Sequence, residues 1–188
     1  MKVMQMMMNN KFRQVNERYT LEVGCGGGKY RFAPKVTGEN IVYLDIDKPS
    51  VKTKNFVRGD ACHLPFKKET FAEIFASHII EHLNDPHRFL EDSYFCLTSK
   101  GRIHIWCPNF LSSNAKKDPM HKHIFNFLSL RETLKQHNFR PAFRTTDLSD
   151  KIPKLLVYLF KISLLLLCNE LYTVGIKEDK SQHLGGHS

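Results

Sequence analysis

The stretch Ser77-His78-Ile79-Ile80-Glu81-His82-Leu83 carries the side chains with the most evident chemistry. His78 and His82 stand four positions apart with Glu81 between them, the H-x-x-E-H spacing with which zinc hydrolases hold an ion and activate water. That use needs a helix, because a helix turns residues four apart onto one face and aims both imidazoles at one ion. At the end of a strand the same letters would line a pocket instead. His121 and His123, two apart in Asp118-Pro119-Met120-His121-Lys122-His123, offer further imidazoles on an extended segment. A second chemical stretch runs from Glu22 to Gly28, where glycines let backbone N–H groups come close to a ligand.

The surrounding pattern decides between helix and strand. Short apolar runs at 20–24 (TLEVG), 40–47 (NIVYLDID), 55–60 (NFVRGD), 70–77 (TFAEIFAS) and 101–109 (GRIHIWCPN) read as buried strands. His78 therefore follows directly on a strand and not inside a helix, and neither Glu132 nor Glu170 is marked as a third ligand, so no metal is expected. Between the last two strands, Asp85 can cap a helix that has Pro86 at its first position, apolar Phe89, Leu90 and Phe95, and Gly101 as its stop. A further helix is expected over 129–139, with Ser129 as cap and Glu132 completing a capping box. Two closing strands are expected at 141–149 (PAFRTTDLS) and 170–177 (ELYTVGIK). Strands alternating with crossovers predict an α/β fold, a Rossmann-like, mostly parallel sheet of about seven strands flanked by helices. The early crossovers are short: only 12 residues separate Gly28 from Ile41.

The glycine turn excludes two nucleotide-binding patterns. A P-loop ending at Gly28-Lys29 would need glycine where Val23 stands and Ser or Thr where Tyr30 stands. The dinucleotide pattern G-x-G-x-x-G would need glycine at Lys29. What remains, E-x-G-x-G-x-G from Glu22 to Gly28, resembles the first motif of class I S-adenosylmethionine-dependent methyltransferases. Asp45 lies about twenty residues past the turn, where a carboxylate can accept ribose hydroxyls, and Asp47 is expected on the same strand face. Asp60 and Ala61 follow the third strand. From Leu64-Pro65-Phe66 through the E-H pair to Lys100-Gly101, the chain is similar to the small-molecule, type 11 branch of that family. Ala72-Glu73 departs from the Phe-Asp that many members carry there.

The resemblance implies S-adenosylmethionine as cofactor, contacted by Glu22, Gly24, Cys25, Gly26, Gly28, Asp45, Ile46, Asp60, Ala61, Ser77 and His78. It implies a small-molecule or lipid-like acceptor bordered by Glu81, Trp106, Asn109 and His123. His82 and His121 are the candidate catalytic bases, since an imidazole can take a proton from a hydroxyl acceptor. Glu81 and His82 could equally do no more than cap and orient the next helix. An RNA methyltransferase and a non-catalytic S-adenosylmethionine-binding partner protein remain alternatives, with a zinc hydrolase more remote. Cys107-Pro108 does not match the nucleophilic cysteine of cytosine-C5 enzymes, and no (D/N/S)PPY follows the fourth strand.

Composition narrows the class further. The 188 residues suit one domain over 19–178, with an N-terminal extension over 1–18 and a tail over 179–188 expected to be disordered. A net charge of +9 attracts anions, but the basic residues are scattered without interleaved aromatics, which does not favour nucleic acid. Cys25, Cys62, Cys96, Cys107 and Cys168 are odd in number and form no C-x-x-C pair, pointing to reduced thiols and a cytoplasmic protein. The N-terminus has no secretory pattern. The apolar segment 155–168 contains Lys161 and is short of the roughly 20 residues that span a bilayer, so it reads as a helix packed on the sheet or touching a membrane surface.

Overall fold

The computed structural model describes residues 19–25, 40–48, 54–144 and 169–179. Gly26, Gly28 and the segment 155–168 lie outside the described residues, as do the extension 1–18 and all of the tail except Asp179. Seven strands form one sheet in the order β3-β2-β1-β4-β5-β7-β6. They are β1 Tyr19–Val23, β2 Ile41–Asp45, β3 Phe56–Arg58, β4 Phe71–Ser77, β5 Leu97–Pro108, β6 Phe139–Arg144 and β7 Glu170–Lys177. The first five pair in parallel, whereas β7 runs antiparallel to both β5 and β6. The expected α/β sheet of seven strands is therefore present, with an antiparallel end at β7. Strand order reverses between β1 and β4, and such a switch point opens a crevice at the strands' carboxyl ends.

Three described helices accompany the sheet: α1 Pro86–Cys96, α2 Ser113–Lys117 and α3 Phe127–Gln136. Asp85 caps α1 as the sequence predicts, its Oδ1 accepting from Arg88 N at 2.9 Å, with Pro86 in the first turn where no N–H is needed. Phe89 and Leu90 are fully buried, while Phe95 is half-exposed. Burial of a side chain such as Phe89 is worth about 1.5–3 kcal/mol, so the core face of α1 outweighs its modest helix propensity. Leu21, Ile74, Ile103, Ile105, Leu130 and Leu134 complete this side of the core. Asp92 of α1 also accepts from Leu64 N at 2.9 Å, tying the Leu64-Pro65-Phe66 segment to the helix.

Three local expectations are corrected. Gly101 does not stop α1: the helix ends at Cys96, and β5 begins at once with Leu97 beside Phe71. The ladder then slips, Glu73 pairing with Arg102, and Lys100 takes φ 58°. Gly101 belongs to that slip, where a Cβ would stand 2.8 Å from the Thr98 carbonyl oxygen. The cap of α3 is Asn126, not Ser129. Asn126 Oδ1 accepts from Ser129 N at 2.8 Å and Ser129 Oγ accepts from Asn126 N at 2.9 Å, so the capping box lies three residues earlier than expected. Asp47 does not share the β2 face with Asp45, because β2 ends at Asp45 and the backbone N–H of Asp47 turns back to Asp45 Oδ1 at 3.0 Å.

Candidate active site

The site forms where β1, β2 and β4 end. β1 buries Leu21, Glu22 and Val23, then stops at Gly24, whose φ is +72°. Side chains avoid that left-handed region, and a Cβ on Gly24 would sit 2.9 Å from Ile79 Cδ1, so glycine is required on two counts. Gly24 N donates to Leu44 O at 2.9 Å, which fixes the turn against the end of β2. There Asp45 is partly exposed and Ile46 shows 62% of its surface to solvent. On the next strand end, Asp60 Oδ1 accepts from Cys62 N at 2.8 Å, ordering the turn that holds buried Ala61.

The Asp45 carboxylate can accept hydrogen bonds from a pair of hydroxyls, and exposed Ile46 offers an apolar face beside it. Glu22, Gly24, Cys25, Asp45, Ile46, Asp60 and Ala61 thus gather along one edge, although β1, β2 and β3 are distant in sequence.

Across the switch point, β4 ends at Ser77 and His78 follows with φ 51°, its N–H donating to Trp106 O at 2.9 Å. His78 Nδ1 lies 3.3 Å from Glu81 Oε1, and its Nε2 lies 3.6 Å from Glu170 Oε1. Contact with the Glu81 carboxylate, and more weakly the charge of Glu170, raises the His78 pKa above its ordinary 6.5 against the opposing effect of burial. The imidazolium's contribution to stability is full below that ordinary value and is lost as pH rises through the elevated folded value.

Glu81 and His82 do not cap α1, a role that Asp85 fills. They are bound instead to the 115–123 segment. Glu81 O accepts from Lys122 N at 2.8 Å and from His123 N at 3.1 Å, and Lys122 Nζ donates to Asn84 Oδ1 at 2.6 Å. His82 Nδ1 lies 3.1 Å from Met120 O, and His121 Nδ1 lies 3.1 Å from Ala115 O. The two imidazole rings come within 4.7 Å of each other, centroid to centroid. Of the sequence-chosen imidazoles, His82 and His121 meet, whereas the His123 ring is tilted 6.3 Å from Phe125.

Asn109 is buried at the end of β5, bridged to Phe125. Trp106 stacks on Tyr172 at 4.1 Å, in a row with Phe75 and His104. Sequence reasoning missed Tyr172, considered Glu170 only as a metal ligand and set it aside, and missed Asp118. The first two reach the site only because β7 inserts antiparallel beside β5, a pairing no local pattern announces.

Residues 21–105 match the family described as a methyltransferase domain. The fold is similar to that of an S-adenosylmethionine-dependent methyltransferase from Archaeoglobus fulgidus, at 21% identity and a TM-score of 0.64, covering 86% of this chain and 87% of that one. It is similar to YcgJ of Bacillus subtilis, at 14% identity and a TM-score of 0.64, over 95% and 99% of the two chains. It also resembles phosphoethanolamine N-methyltransferase 2 of Haemonchus contortus in complex with S-adenosylmethionine, at 15% identity and a TM-score of 0.60, over 95% of this chain and 53% of that one. Among the described residues no helix is long and apolar enough to cross a membrane.

Proposed function

We propose that this chain, whose residues 21–105 match a methyltransferase-domain family, is a class I S-adenosylmethionine-dependent methyltransferase whose acceptor is a small molecule or a lipid-like compound. The observation that carries this reading is the meeting of His82 and His121 beside buried Glu81, at the carboxyl end of β4 and across the switch point from the Gly24 edge. The phosphoethanolamine named for one structural neighbour is a small molecule.

When bound, S-adenosylmethionine supplies a sulfonium methyl, which leaves readily. The protein's own part is to hold two molecules in line and exclude water, effects that can be worth about 7–11 kcal/mol when geometry is right. On this reading Asp45 accepts the ribose hydroxyls, Ile46 covers the adenine face, and the backbone at Asp60 and Ala61 reads its edge. Gly24, Cys25, Gly26 and Gly28 cup the amino-acid end, with Glu22 and the backbone of Ser77 and His78 beside it. Glu81, Trp106, Asn109 and His123 border the acceptor, and His82 or His121 takes the acceptor's proton. The 155–168 segment is a candidate for contact with a lipid-bearing surface.

The test is to incubate cell extracts with isotopically labelled S-adenosylmethionine and either wild type or Asp45→Ala. A labelled product in the small-molecule or lipid fraction, lost with the variant, is expected. Label confined to tRNA would overturn the acceptor class in favour of the RNA alternative.

A further inference from the structure

We propose that Glu81, His82 and His121 form a binding site for one divalent first-row transition cation, with coordination left open for an oxygen of the acceptor. The second half of the proposal rests on the methyltransferase reading above, and the first half does not.

One ligand atom from each of the three residues lies within 4.8 Å of the other two. A single ion with metal–nitrogen and metal–oxygen distances of about 2.0–2.2 Å would draw such atoms together by roughly an ångström. The set, two imidazoles and one carboxylate, is the donor combination that suits zinc or iron(II) and that leaves positions for water or substrate.

The geometry around the three is that of prepared ligands. A backbone carbonyl only accepts, so the contacts of His82 Nδ1 with Met120 O and of His121 Nδ1 with Ala115 O put the ring proton on Nδ1 in both residues. Each Nε2 then carries a lone pair. Orientation of a metal-binding imidazole by a carbonyl on its far nitrogen is how such rings are commonly held. His121 Nε2 also lies 3.7 Å from Asp118 Oδ2, which puts that acid beside the ligating nitrogen, on the side of the proposed ion.

Glu81 supplies the independent observation. Its side chain is 2% exposed, and neither carboxylate oxygen receives an aligned hydrogen bond. His78 Nδ1 approaches Oε1 at 3.3 Å, an ion-pair distance on one oxygen only. That one contact engages Oε1 and leaves Oε2 without a partner; a buried carboxylate so incompletely paired is costly, and a bound cation relieves that cost directly. The clamp of Lys122 N and His123 N on the Glu81 carbonyl keeps the 115–123 segment in place, so that His121 stays opposite His82. His78, which the H-x-x-E-H spacing would set beside His82 as a ligand, stands on Glu81 instead, and the second imidazole of the proposed site comes from 39 positions beyond His82.

For an oxygen acceptor the ion acts as a Lewis acid. The acceptor's O–H proton passes to water, its oxygen forms the new bond to the methyl carbon, and the carbon–sulfur bond breaks with its electron pair left on sulfur. In that arrangement His82 and His121 hold the cation and no longer take the proton themselves.

The experiment uses the full chain without an affinity tag, stripped with chelator, then titrated with Zn2+ by calorimetry and with Co2+ by visible spectroscopy. One equivalent of Zn2+ and the d–d bands of bound Co2+ are expected. His121→Asn and Glu81→Gln should each weaken binding by at least about 10–100-fold, the range lost even when supporting groups around a metal are removed. His87→Gln, at the separate His87–His137 contact, should leave it unchanged. Circular dichroism confirms the folding of each variant, and His121→Asn decides if Glu81→Gln does not fold.

No binding, or binding insensitive to His121→Asn, overturns the site. Adding catechol to the cobalt protein should shift the bands; unchanged bands would make the ion structural and overturn its role toward the acceptor. S-adenosylmethionine is titrated into the same metal-free samples. Retained cofactor binding with no metal uptake would sink this proposal and leave the methyltransferase assignment standing.

Discussion

Replacing Gly24 by alanine tests the turn on which the cofactor edge depends. Two costs can be read from the structure. Holding a non-glycine residue at φ +72° costs about 1–2 kcal/mol. The new methyl group would lie 2.9, 3.1 and 3.2 Å from Ile79 Cδ1, Cγ1 and Cβ. Rotating the end of Ile79 relieves the first contact but not the last, so forcing a methyl in adds about 1 kcal/mol, the low end for overpacking. Gly24→Ala should therefore destabilise by about 2–3 kcal/mol, lowering the melting temperature by roughly 4–12 °C for a chain of this size.

The two costs separate in a double-mutant cycle. Ile79→Ala alone removes a partly buried side chain and should cost about 2 kcal/mol, the low end for such truncations. In that background Gly24→Ala should cost only its backbone part, leaving a coupling of about 1 kcal/mol between the sites. Urea denaturation of the four proteins measures this. A Gly24→Ala variant within about 0.5 kcal/mol of wild type, the range of ordinary surface changes, would refute the assigned backbone conformation. A zero coupling would refute the contact with Ile79.

Two further outcomes follow from side chains away from the site. Asp92→Ala removes the acceptor for Leu64 N and the partner, at 3.1 Å, of Arg88 Nη2. It should cost about 1–2 kcal/mol in urea denaturation, nearly all from the stranded N–H, since an exposed ion pair adds at most about 1. No measurable loss would refute that tie. His137 is shifted the other way from His78: burial, then the neighbouring His87, lowers its pKa below 6.5. Its neutral form is the folded one, so its contribution is intact above pH 6.5 and is lost as pH falls through the lower folded value. His137→Gln should flatten the decline of stability below pH 6.5, followed by chemical denaturation at stepped pH, and an unchanged slope would refute it.

The order of strands and the glycine turn were legible because both depend on local physics. A buried parallel strand must be a short apolar run, and Asp85-Pro86 can start a helix from its own side-chain chemistry. Gly24, Asp45 and Asp60 were singled out through the family resemblance, and each stands at or just past the carboxyl end of its strand. Boundaries failed where neighbours decide them. Leu97 joins β5 because Phe71 lies alongside it, and Asn126 displaced Ser129 as the cap because the chain leaves the Asn109–Phe125 bridge just before it.

The sequence by itself determined which residue types were present for chemistry and that an α/β sheet would carry them, since apolar periodicity and glycine conformation are properties of short segments. Only the tertiary structure decided their company. It turned His78 toward Glu81, brought His121 across to His82, and left the Glu81 carboxylate buried without aligned donors. Those contacts depend on the docking of 115–123 against the end of β4, and no spacing along a chain encodes a distance between segments that meet only on folding.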